Sequence, residues 1–145
     1  MTDTRRLHIW FEPTFGNVDM VRSAVRGVST DFFHLTDSAA SIMDFCLIVT
    51  ELMNNAVEHS NAQVMEIELS LFDHEAVFQL TSEGEGFDPT VTVAMPSPEQ
   101  DGDMPDGGYG LALIQALADG MEFERRDNRN MVTLRKTFAS PRKEQ

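Results

Sequence analysis

The chain has little that could cross-link, chelate or neutralise. A single cysteine, Cys46, stands in 145 residues, which excludes an internal disulfide. With no CxxC pair and no His/Cys cluster, a thiolate zinc site is excluded as well. A reducing, cytoplasmic setting is the expectation. Basic residues are scarce, 11 against 24 acidic ones, for a net charge of −13. No surface of this balance neutralises a run of phosphates, so neither nucleic acid nor a membrane is an expected partner. No uninterrupted apolar run approaches the ~20 residues that cross a bilayer, and the N-terminal MTDTRRLHIW has no signal-peptide hydrophobic stretch.

What is present suits one domain over residues 1–145, long enough to bury about two thirds of its unfolded surface. Leu7, Ile9 and Phe11 alternate with polar neighbours up to Pro13, as in a short strand. Asn17 is placed to cap a helix to about Phe33, with Val18, Val21, Val25 and Val28 at helical spacing. From Asp37 to about His59 a stripe of Ile42, Phe45, Cys46, Val49, Met53 and Ala56 predicts a second helix, capped by Thr36 or Asp37. Period-two alternation then predicts a hairpin, Val64–Leu71 and Ala76–Leu80, turning at Asp73 and His74. Residues 83–107 hold four prolines and little periodicity, as a long loop does, either a functional lid or a disordered insertion. A third helix follows from Tyr109 to Ala118, ended by Gly120. Strands Met121–Arg126 and Met131–Phe138 come next, and a charged tail over 139–145. This order predicts an α+β two-layer sandwich, a mixed, mostly antiparallel sheet covered by three helices.

Helical angles put Glu51, Asn55 and Glu58 about 180°, 220° and 160° from Ile42, opposite the apolar stripe. A solvated face is one account of them. Leu47 and Ile48 lie on the same side, however, so a pocket wall or interface is the other. Glu51 and Asn55 are an i,i+4 pair, which sets a carboxylate and an amide oxygen one turn apart, as a hard cation or a base beside one requires. Ser82-Glu83-Gly84-Glu85-Gly86 follows a strand, and Gly107-Gly108-Tyr109-Gly110-Leu111 opens a helix. Glycines at a helix start let phosphate oxygens approach the backbone N–H groups there. Either run alone is also what a tight turn or a helix entry looks like. The four histidines show no metal-ligand spacing, and Cys46 on the stripe reads as a small buried hydrophobe.

Taken together, an acid/amide helix, a two-glycine loop after a strand and a glycine pair opening a helix resemble the GHKL superfamily of Bergerat-fold ATP-binding domains. The likeness is strongest to the anti-sigma-factor serine/threonine kinases of partner-switching systems. Residues 49–59 resemble that family's N box, Ser82 to Gly86 its first glycine box, and Gly108-x-Gly110-Leu111 its second, over a core of about 7–138. The resemblance implies that Asn55 supplies an oxygen to the Mg²⁺ of a bound ATP, and that Glu51 orients or deprotonates the attacking hydroxyl. It further implies that Ser82, Gly84 and Gly86 lie against adenine, and that Gly108, Tyr109, Gly110 and Leu111 form the phosphate-facing helix start. Residues 88–107 are then the lid. Implied partners are an anti-sigma-factor antagonist as substrate and a sigma factor or similar effector as captive. A homodimer through the first helix and first strand is compatible with the likeness.

The sequence departs from that pattern twice. Aspartate normally opens the first glycine box and accepts the adenine amino hydrogen, whereas here the position is Ser82. A charge-assisted bond of that type is worth about 1.5–3 kcal/mol. Between Glu83 and Asp106 stand seven acids and no Lys or Arg. A catalytically weak or nucleotide-independent binding module of the same fold is therefore the alternative function. A detached ATPase domain of a sensor histidine kinase is a third, less favoured because no phospho-accepting histidine helix precedes the domain.

Overall fold

A computed structural model describes residues 4–84 and 108–139. The elements are β1 (Arg5–Phe11), α1 (Phe15–Phe33), α2 (Ala40–His59), β2 (Met65–Phe72), β3 (Glu75–Glu83), α3 (Gly108–Leu117), β4 (Gly120–Arg126) and β5 (Arg129–Thr137). The strands form one sheet in the order β1-β2-β3-β5-β4, with every pairing antiparallel. Three helices cover one face, so the expected two-layer sandwich is present, with an antiparallel rather than mixed sheet among the described residues. The expected lid and the tail beyond Ala139 lie outside the described residues.

Strand alternation decides which side chains meet the helices. Met65, Ile67, Leu69 and Leu71 of β2, Ala76, Phe78 and Leu80 of β3, and Val132 and Leu134 of β5 are buried. Their neighbours His8, Trp10, Glu66, Glu68 and Gln79 occupy the uncovered face, where Trp10 is 62% exposed. Helix α2 lies between α1 and α3 and is buried on more than its apolar stripe. Its length and composition alone would allow a membrane span, but half of that window is inside the fold. Phe138, just past β5, stacks on Phe33 of α1 at 4.3 Å and meets Phe45 of α2 edge-on at 5.6 Å, fastening the sheet to both helices.

Helix ends and turns differ from the sequence expectation for local reasons. Thr14, not Asn17, caps α1: its side chain accepts from the Asn17 N–H at 3.1 Å, while Asn17 Nδ2 donates back to the Glu12 carbonyl at 2.9 Å. The amide expected as a cap therefore serves in the first turn, and α1 starts three residues early. Helix α2 begins at Ala40, after an Ala39 cap without a side-chain bond, because Thr36 and Ser38 pair with each other at 3.1 Å. Gly120 does not end α3. The helix stops at Leu117, whose carbonyl accepts from Lys136 Nζ at 2.9 Å, and Asp119 already pairs with the end of β5. The β4–β5 turn is tighter than expected, two residues, with Asp127 and Asn128 both at positive φ (51° and 65°), as a type I′ hairpin requires.

Candidate functional site

The last two turns of α2 carry Glu51, Asn54, Asn55 and Glu58. They do not form the uniform solvated face that is one account of the sequence. Asn55 is 5% exposed and Leu52 and Ile48 are fully buried, whereas Glu58 is exposed and Glu51 half-buried. Helix α3 packs against α2. Among the described residues the buried Asn55 amide nitrogen has no hydrogen-bond partner. An unpartnered buried donor of this kind costs about 1–3 kcal/mol, a cost that a bound acceptor would relieve.

Ser82 ends the inner row of β3 and is 3% exposed, beside Asn130 of β5 at 2% and opposite Met65 of β2. Gly84 follows at φ 119°, where a side chain would be strained. Its N–H donates to the Asn128 carbonyl at 2.9 Å. Asn130 Nδ2 donates to the carbonyls of Gly84 at 3.2 Å and Ser82 at 3.4 Å, and its Oδ1 accepts from Arg125 Nη1 at 2.6 Å. The corner is thus held by the β4–β5 hairpin. The part played by Asn130 was not foreseen from the sequence. The only available signal was a polar residue in phase with Val132 and Leu134, where an apolar one is the rule.

Gly108, Tyr109, Gly110 and Leu111 lie in the first turn of α3, so the second glycine run does open a helix. Gly86 lies outside the described residues. An open cleft of about 450 Å³ beside Gly84 faces the uncovered side of the sheet, lined among others by Trp10, Val64, Glu66 and Arg129. Neither Glu51 nor Asn55 lines it. Among the described residues no three His, Cys, Asp or Glu side chains cluster as a metal site. A hard divalent ion would therefore be held jointly, by an amide oxygen such as Asn55 Oδ1 together with ligand phosphates, as Mg²⁺ characteristically is. The orphan Nδ2 donor of Asn55 fits an acceptor such as a phosphate oxygen rather than the ion itself.

An antiparallel sheet under three helices, with a buried amide on the middle one, is the arrangement that frames this site. The chain belongs to the histidine kinase-like ATPase domain family, whose sequence model matches residues 11–136. It is 27% identical over 92 residues to the serine/threonine-protein kinase BtrW of Bordetella bronchiseptica, over 61% of this chain and 65% of that protein. This chain thus matches a little under two thirds of that relative's length. The crystal structure of the RsbU and RsbW domains of Rv1364c from Mycobacterium tuberculosis has the same fold, with a TM-score of 0.63 at 19% identity, over 91% of this chain and 32% of that one.

Proposed function

We propose that the chain is a regulatory protein serine/threonine kinase that binds Mg-ATP and phosphorylates a small antagonist protein while holding a sigma factor or similar effector. The observation that carries this is the buried, unpartnered amide of Asn55 on the helix that also bears Glu51. The name of the Bordetella relative supports the reaction class.

In this proposal Asn55 Oδ1 contributes an oxygen to Mg²⁺, and its amide hydrogens meet phosphate oxygens. When bound, Mg-ATP supplies the transferable phosphoryl group and the cation that offsets its charge. Glu51, half-buried one turn before Asn55, would accept the proton of the attacking serine or threonine hydroxyl. The N–H groups opening α3 face the phosphates at the positive end of the helix dipole. Ser82 and the Gly84 corner bound the base. Incubating the chain with radiolabelled Mg-ATP and candidate antagonists tests the proposal: label on Ser or Thr that disappears in Glu51→Ala supports it, and label on His overturns the assignment.

A second function, partner binding with weak catalysis, is favoured by Ser82, which puts a neutral hydroxyl at a buried position where the resembled family pattern has aspartate. Absent or millimolar affinity for Mg-ATP in calorimetry distinguishes it from the kinase.

A further inference from the structure

The uncovered face of the sheet carries a cleft that contains neither Asn55 nor Glu51. Register sets Trp10, Glu66, Thr81 and Met131 in one row across β1, β2, β3 and β5, on the face away from the helices. Thr81 is short and Gly84 bears no side chain, so about 450 Å³ stands open between Trp10 and Val64 on one side and Asn128 and Arg129 on the other. Trp10 is 62% exposed and Val64 49%, which leaves an apolar rim in water. The charged groups are held in place. One Glu66 carboxylate oxygen pairs with His8 Nε2, and the other accepts from Arg129 Nη2 at 3.4 Å. His8 also lies against the Trp10 ring, 4.0 Å between centroids, and so fixes the indole at the rim. Glu83 is exposed and makes no ion pair among the described residues.

We propose that this cleft docks an arginine side chain presented by a basic segment of a partner protein. Its lining holds two carboxylates, Glu66 and Glu83, and one cation, Arg129, which Glu66 already engages. The balance is negative. Residues 61–63 of the lining follow directly on the last residue of α2, His59, and its Ser60 cap, where the negative end of the helix dipole lies. A chain of net charge −13 repels an anionic ligand over the whole approach and steers a basic one in. Among aromatic side chains, Trp attracts a cation most strongly. Guanidinium suits the place better than ammonium, because it is flat and weakly hydrated and can stack on an indole while its N–H groups donate to a carboxylate. Glu66 has capacity for this, since a carboxylate accepts about four hydrogen bonds and only His8 and Arg129 use it here. The open shape and apolar rim fit a side chain carried on a protein segment rather than a free small molecule, which concave pockets enclose. A second copy of this chain is the poorer occupant, because two surfaces of this charge repel each other.

Trp10 is the only tryptophan of the chain, so its fluorescence reports on the cleft directly. The full chain is titrated with a short capped peptide alternating arginine and leucine, and with an analogue in which citrulline, uncharged but of the same shape, replaces each arginine. The expected result is a saturable change in emission with the arginine peptide and binding of the citrulline peptide at least about tenfold weaker. Trp10→Ala, followed by calorimetry, should weaken the arginine peptide about three- to thirtyfold, and Glu83→Gln about two- to fivefold. Both substitutions are at exposed positions, and thermal melts establish that the variants are folded. Unchanged affinity in Trp10→Ala overturns the proposal, because mere attraction of a basic peptide to an acidic chain would survive that change. Equal binding of the arginine and citrulline peptides overturns it too, as does no binding of the arginine peptide up to about 1 mM. A dimer in sedimentation that Trp10→Ala dissociates would assign this face to a second copy and overturn it likewise. None of these outcomes bears on the nucleotide reading, which substitution of Asn55 tests separately.

Discussion

The last turns of α2 and the Gly84 corner both carry buried polar groups, yet they stand in opposite conditions. At the corner, Asn130 satisfies its own amide and two carbonyls, and the Gly84 N–H has a carbonyl partner. On α2, the Asn55 nitrogen has none among the described residues. One region satisfies its buried polar groups within the fold, and the other leaves a donor unpaired among the described residues. Substitutions at the corner should therefore cost stability, whereas substitutions on α2 should alter ligand binding and catalysis at little cost to the fold.

The largest expected effect sharpens that difference. Glu51→Ala removes the proposed base, and phosphoryl transfer in a single-turnover assay should fall about 10²–10⁴-fold. Nucleotide affinity and melting temperature should change little, because Glu51 is half-buried and forms no part of the core. Next, Asn130→Ala strips the corner of its clamp and should lower unfolding free energy by about 1–3 kcal/mol in urea titrations. Asn55→Ala, removing an amide whose nitrogen is already unsatisfied, should stay within about 1 kcal/mol of the parent. Equal losses in the two variants would break the comparison. Gly84→Ala comes third. Its Cβ would meet the main chain of Asn61 and Ala62 at ordinary distances of 3.7 to 3.9 Å, so only the strain of φ 119° counts, about 1–2 kcal/mol.

The smallest effect is electrostatic and lies far from either region. The Arg5 guanidinium, 2.6 Å from Asp31, holds that exposed carboxyl below its ordinary value by hydrogen bond and charge. Because the folded-state value is depressed, the associated stabilisation is present above the ordinary carboxylate range. It is lost as pH falls through that range toward the folded value. Arg5→Ala should return the Asp31 titration to the ordinary range, read by NMR, and flatten this part of the acid response.

Much of this was legible in the sequence. Val18, Val21 and Val25 of α1 and Ile42, Phe45, Cys46, Val49 and Met53 of α2 were found by helical periodicity and are buried as that periodicity requires. Alternation located β2 and β3, since each strand has one face in water and one against the helices. The burial of Asn55 was only half visible: Leu47 and Ile48 hinted at a second apolar side on α2, but its depth depends on packing between elements, which helical periodicity does not report. Asn130 was not visible at all, because its importance comes from its register with Ser82, 48 positions away. Pairings of that range are set by how the strands assemble and leave no mark on the neighbouring residues. The α2 cap was misplaced because three hydroxyl or carboxylate side chains, Thr36, Asp37 and Ser38, compete there, and Thr36 and Ser38 bond each other.

The most direct test of the account compares Mg-ATP binding by the parent chain and by Asn55→Ala in calorimetric titrations. The account predicts micromolar affinity in the first and at least a tenfold loss in the second, with both proteins melting at closely similar temperatures without nucleotide. Equal affinity in the two would contradict it, because the buried amide would then have no part in holding the nucleotide.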